Sequence, residues 1–364
     1  MPLMPGMTMA TYPSAVTVGL FYRACLVVAV VGVLAAVAGR SWLRRAAPGP
    51  DGEGVSPYRN ALALWLGALW LLDGVLQAQP EMATRFVGGL LAPLLAGQPA
   101  PVADVVRFGM RLWEVSPVWF NVLAVFLQIA IGLALLFARD GSRLRRLALA
   151  TSIAWGLAVW MVGEAFGSLF AGGGVLSGSP GSVFLYILAA ALVLLPARHW
   201  RTDGGAVWRW VPTGFVAFFA LAALLQVLPA EGWWAPGSLS AYVSAMAQMP
   251  QPALVAAPLG AFAAVLARGA VAWNVAIAAS AVVLALGWWR APARAATLWA
   301  TVAWTLLVWY FGQDFGVLGG MGTDPNTGAI LLVFVLVLAE RLGALARHPE
   351  RVPGVALVAG AQER

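Results

Sequence analysis

The sequence predicts an all-α integral membrane protein with nine transmembrane helices, arranged as one extra N-terminal helix and two parallel four-helix repeats. The chain is 61% hydrophobic and 10% charged, and its apolar runs are too long and too many for a soluble core. All 22 basic residues are arginine, and most of them gather in alternate loops between those runs. The chain also repeats itself. Leu76-Gln77-Ala78-Gln79-Pro80 returns 149 residues later as Leu225-Gln226-Val227-Leu228-Pro229. At the same offset Ala154, Trp155, Leu157, Val159, Trp160, Gly163, Phe166, Gly167 and Leu169 recur as Ala303, Trp304, Leu306, Val308, Trp309, Gly312, Phe315, Gly316 and Leu318. Gln98-Pro99-Ala100 reappears as Gln251-Pro252-Ala253 and Asn121 as Asn274, now 153 residues on; the turn 139–146, longer than 290–294, absorbs the difference. Such self-similarity implies two stacked copies of one helical unit.

The first helix is expected over 15–39. Ala36-Val37-Ala38 resembles a signal-peptide cleavage site, but a secretory signal carries its positive charge before the apolar run. Here nothing basic precedes Arg23, whereas Arg40, Arg44 and Arg45 follow, so the helix reads as retained. With the Met-rich tail it makes up segment 1–45, and it has no counterpart in the repeat. A Gly- and Pro-rich cytoplasmic linker follows at 46–58. Repeat one, 59–200, holds expected spans at 61–76, 118–138, 147–167 and 183–197. Repeat two, 201–345, holds spans at 210–228, 270–289, 295–318 and 329–345, and a tail closes the chain at 346–364.

Basic loops resist translocation, so the arginine groups set the orientation. Arg40, Arg44, Arg45 and Arg59, then Arg139, Arg143, Arg145 and Arg146, then Arg198, Arg201 and Arg209, then Arg290 and Arg294, and finally Arg341, Arg347, Arg351 and Arg364 all fall on one side, with Arg23, Arg85, Arg107, Arg111 and Arg268 as the exceptions on the other. The arginine-rich side is expected to be the cytoplasm of a bacterial plasma membrane, with the N-terminus outside and the C-terminus inside. Corresponding helices of the two repeats then run the same way. The net charge of +7 follows from this topology and is no sign of a nucleic-acid partner; the lack of lysine matches a GC-rich bacterial genome. Each repeat also carries a long outer segment, 78–116 and 230–269. In the first of these Phe86, Val87, Leu90, Leu91, Leu94 and Leu95 recur at helical spacing, as interfacial helices would.

Polar groups inside apolar helices are the candidate site, because a charge there costs about 2.5 to 3.5 kcal/mol on insertion scales and so faces protein or water. Asp73 falls in the outer half of its span and Glu164 at a similar depth; the repeat replaces Glu164 with Gln313 followed by Asp314. Gln77, Asn121, Gln226 and Asn274 lie at the same level, and Trp160 and Trp309 sit one turn below Glu164 and Gln313. In one reading these residues converge on an outward-facing pocket near the axis between the repeats, walled by tryptophan. In the other the carboxylates reach headgroups, cap backbone amides or pair with Arg23, Arg107 or Arg111, and the tryptophans form an interfacial belt.

Residues 60–197, and more faintly 208–345, resemble the DoxX-type four-helix membrane proteins. The resemblance rests on the opening helix with its polar tail before Pro80, the outer segment, the run Gln128, Gly132, Leu133, Ala134, Leu135 and Leu136, and the basic turn after it. It implies a place in envelope redox chemistry, since that family includes subunits of a quinone-reducing enzyme. The tandem fusion, the added first helix and the Trp-rich Gly163-Glu164-Ala165-Phe166-Gly167 motif depart from the family pattern, and no catalytic role carries over.

Several chemistries are excluded. His199 and His348 lie in basic loop segments and cannot hold a haem in the bilayer, and Cys25 has no partner for disulfide exchange. No phosphate loop or zinc motif is present. Any redox cofactor would be a mobile quinone or belong to an extracytoplasmic or membrane partner. Met4, Met7 and Met9 in the N-terminal tail are spaced as Cu(I) ligands, or form a plain tail. The expected function is a non-catalytic membrane component of an envelope redox or metal-handling system. The alternative, a small-solute or ion transporter, requires polar groups through the whole depth of the bilayer.

Overall fold

The computed structural model describes residues 15–39, 56–201, 204–317 and 322–339. The candidate copper ligands Met4, Met7 and Met9, and the segments 46–55 and 346–364, lie outside the described residues. Among those described there is no β-strand.

Each of the nine expected apolar segments contains a helix among its described residues, though six of these helices rather than nine have the length and apolarity of a membrane span. They form α1 (Ala15–Ala38), α2 (Pro57–Gln77), α4 (Pro117–Phe137), α5 (Arg143–Ala158), α6 (Ser182–Leu194), α7 (Val207–Val227), α10 (Ala270–Arg290), α11 (Ala295–Phe311) and α12 (Asn326–Phe334). The segments 78–116 and 230–269 supply α3 (Ala100–Val115) in the first half, with short turns at Met82–Arg85, Phe86–Leu91 and Ala92–Leu95 before it, and α8 (Ser238–Ala247) and α9 (Ala253–Leu266) in the second. Helix α5 runs on through a wider π turn, Val159–Gly163, and α12 through another, Val335–Ala339. Helices α1, α2, α4, α5 with its extension, α7 and α10 are long and apolar enough to cross a membrane. Helices α6, α11 and α12 are shorter apolar helices.

Local chemistry explains the starts. Pro57 and Pro117 open α2 and α4 at positions whose amides would be unpaired in any case. Ser142 caps α5, its hydroxyl accepting from the Arg145 amide at 3.2 Å. The long turn before α5 also serves a purpose: Asp140 pairs with Arg59 at 3.1 Å and faces Arg145 at 3.8 Å, while Arg59 reaches the Val193 carbonyl and Arg145 reaches Asn60.

Within each half the tightest antiparallel pair joins an opening helix to the helix 40 to 60 residues later, α2 to α4 and α7 to α10. In the first half glycine makes this possible. A Cβ on Gly67 would fall 2.9 Å from Leu135 Cβ, one on Gly132 2.8 Å from the Gly67 carbonyl, and one on Gly74 2.7 Å from Ile129, so the backbones touch directly. The corresponding residues of the second half are Val216, Ala285 and Ala223. There aromatic stacking takes over: Phe215 lies 4.1 Å from Trp288, centroid to centroid. Helix α1 packs on α4 through Phe21 and Ala24 against Val122 and Val125, and its remaining faces stay exposed.

The halves meet along α6, α12 and α2. At the end opposite the arginine clusters their loops interlock. Gln313 donates to the Val175 carbonyl at 3.0 Å, Tyr242 to the Leu176 and Gly312 carbonyls, and Asn326 lies against Gly178.

Candidate functional site

The polar residues singled out by sequence cluster at this loop end, and the loops that hold them share a left-handed turn in both halves. After α5 the chain enters the left-handed region at Ala165, Phe166, Gly167 and Ser168 (φ 45°, 59°, 66° and 56°), and after α11 at Asp314, Phe315 and Gly316 (47°, 58° and 73°). Consecutive left-handed residues cost roughly 1–2 kcal/mol each, so surrounding contacts must hold them. The glycines are required twice over. A Cβ on Gly167 would lie 2.2 Å from the Pro180 backbone, and one on Gly316 2.7 Å from that of Pro325.

The tryptophans fasten these loops. Trp160 Nε1 donates to the Pro180 carbonyl at 2.8 Å and Trp309 Nε1 to the Pro325 carbonyl at 2.7 Å. Each ring packs on its loop phenylalanine, Trp160 on Phe166 at 5.1 Å and Trp309 on Phe315 at 4.9 Å. Both indoles are thus structural clamps turned into the protein.

The acidic position and its replacement do the same local work. Glu164 Oε1 accepts from the Ser182 hydroxyl at 2.7 Å and the Val183 amide at 3.2 Å. Gln313 donates to the Thr327 hydroxyl at 2.7 Å and accepts from the Gly328 amide at 3.0 Å. Glutamine fills both needs and has an amide hydrogen left for Val175 of the other half. Glu164 instead keeps Oε2 enclosed and without a partner. The amides pair within their own halves, Gln77 with Asn121 and Gln226 with Asn274, each at 2.7 Å.

Asp73 is 2% exposed, and its carboxyl group faces a phenol rather than a cation. Two residues missed by sequence reasoning surround it. Tyr186 on α6 is fully buried, rests edge-on against Trp70 at 5.1 Å and brings its hydroxyl against the Asp73 carboxyl group. Asp324, from the second half, lies within electrostatic range of Asp73, Glu164 and Tyr186. Its oxygens accept from Thr323 and from the Asn326 amide. A polar triplet, Asp73, Glu164 and Tyr186, was partly visible as carboxylates in apolar runs; Tyr186 looked like one more aromatic in a helix and Asp324 like an ordinary turn residue.

Asp314 takes a different place. It sits beside Gln251 and Tyr310, and no interaction joins it to Glu164. Its side chain points away because its backbone position matches Ala165, one residue past the acid. Nor do Asp73 and Glu164 pair with arginine: the ion pairs among the described residues are those of Asp140 and the exposed Arg107–Asp104 contact.

The assembled site is three carboxyl groups and a phenol, drawn from both halves, with enclosed acceptor atoms and no neighbouring cation among the described residues. It suits a proton or a ligand head rich in hydrogen-bond donors. Among the described residues no group of three or more His, Cys, Asp or Glu side chains is placed to hold a metal ion. No family model, curated protein or solved structure matches this chain.

Proposed function

We propose that this chain is a duplicated, DoxX-like multi-pass protein of a bacterial plasma membrane, with its arginine-rich end in the cytoplasm, serving as a ligand-binding component of an envelope redox system. The observation that carries the reading is the Asp73, Tyr186, Glu164 and Asp324 cluster, which needs both halves and leaves Glu164 Oε2 unpaired where burial makes that costly. Equivalent clamps at matching offsets, Trp160 with Pro180 and Trp309 with Pro325, support the duplication. A one-sided site is favoured over a transport path. Asp73 lies about 24 Å along α2 from Pro57 at 1.5 Å per residue. No carboxylate lies inside a helix of the arginine-rich half among the described residues. Two hydroxyls there are taken by indoles, Ser152 by Trp70 and Thr301 by Trp288, and Thr297 and Thr213 bond to backbone carbonyls.

The test is mass spectrometry of quinones, metals and proteins that stay with the purified chain, wild type against Glu164→Gln and Asp73→Asn. Either substitution replaces an ionisable group with a neutral amide of nearly the same shape, so membrane insertion should be kept or eased. Loss of a bound quinone or partner in both variants, with expression unchanged, supports the reading; identical content in all three forms refutes it.

A further inference from the structure

On the opposite face of α6 from Tyr186 lies an apolar cleft of about 530 Å³, bounded by α6, α7 and α12 and so by both halves. That volume falls within the roughly 300–1,000 Å³ of small-molecule sites. Phe184, Leu188, Phe218, Leu331 and Phe334 line it, and Gly214 opens it, since a Cβ there would meet no atom within 4 Å. The cleft extends from Pro180 at the loop end to Trp210 at the arginine-rich end. Its walls offer no hydrogen-bonding side chain except the Trp210 indole at the arginine-rich end, so it has no pair of donors for the two carbonyls of a quinone.

Charge appears only at the arginine-rich mouth. Trp210 is 48% exposed and stacks on His199 at 6.0 Å, next to Arg209, with Arg198 adjoining His199. Arg198 and Arg209 are exposed and have no ion-pair partner among the described residues. A cationic rim on an apolar slot between helices complements an anionic headgroup whose chain runs into the bilayer core. We infer that this cleft binds one anionic phospholipid from the leaflet at the arginine-rich end, with an acyl chain between α6, α7 and α12 and the phosphate at Arg198 and Arg209.

The test uses the purified chain in mixed micelles with phosphatidylglycerol and phosphatidylcholine of identical acyl chains, followed by native mass spectrometry. Wild type should retain one phosphatidylglycerol at least tenfold over phosphatidylcholine. Gly214→Trp fills the slot and should cut retention of both lipids about tenfold; Gly214→Leu is a milder version that also improves helix propensity. The surface double variant Arg198→Gln, Arg209→Gln should keep a bound lipid but bring the two species to parity. Unchanged retention in the Gly214 variants, or no preference for the anionic lipid in wild type, overturns the inference. Glu164→Gln should leave lipid retention as it is, which separates this site from the carboxyl cluster.

Discussion

At the scale of single residues, the outer loops are held by atoms that allow no extension. Gly167 combines a left-handed φ of 66° with backbone contact to Pro180, and Gly316 repeats the arrangement. Gly167→Ala and Gly316→Ala should therefore each destabilise the protein by about 2 kcal/mol or more, from the conformational cost and the clash together. Gly214→Ala is the control, open on all sides and in ordinary helix, and should be neutral or stabilising by up to about 1 kcal/mol. Thermal unfolding in a single detergent would compare the three, and equal melting temperatures would contradict the role given to these glycines. The glycines of the repeated motif were visible in the sequence, but their reason was not. Helix packing was one natural explanation, and a left-handed turn against proline leaves no local signature. Asp314 was grouped with Glu164 for a similar reason: adjacency in sequence hides that one residue of backbone rotation sends the two side chains to different neighbours.

At the scale of elements, the two opening pairs solve the same packing problem in two ways. Helices α2 and α4 approach through Gly67, Gly74 and Gly132, whereas α7 and α10 are spaced by Val216 and Ala285 and joined by aromatic stacking. Gly132→Val should therefore separate α2 from α4 and reduce the yield of monodisperse protein severalfold, while Ala285→Val should be tolerated. Size-exclusion profiles of the two variants decide the matter, and tolerance of both would show that the first pair has slack. Apolar runs and small residues made the positions of these helices readable. The π turn of Val159–Gly163 was not, because it depends on the Glu164 amide reaching the Val159 carbonyl, a tertiary outcome of the loop beyond it.

At the scale of the whole molecule, the arginine clusters and the polar loops occupy opposite ends of the bundle. Reporter fusions at Gly141 and Gly204 should register cytoplasm, and those at Gly97 and Ser179 the outside, since basic loops stay behind during insertion. A cytoplasmic signal at Ser179 would invert α5 and α6 and end the parallel arrangement of the halves.

The interlocked loops also impose an order on biogenesis. The Val175 carbonyl is satisfied by Gln313, 138 residues further along the chain. At roughly 5–20 residues per second of synthesis, that partner leaves the ribosome about 7–28 s later. Through that interval the Val175 carbonyl lacks its side-chain donor, and Asp73 and Glu164 lack Asp324 of the second half beside them.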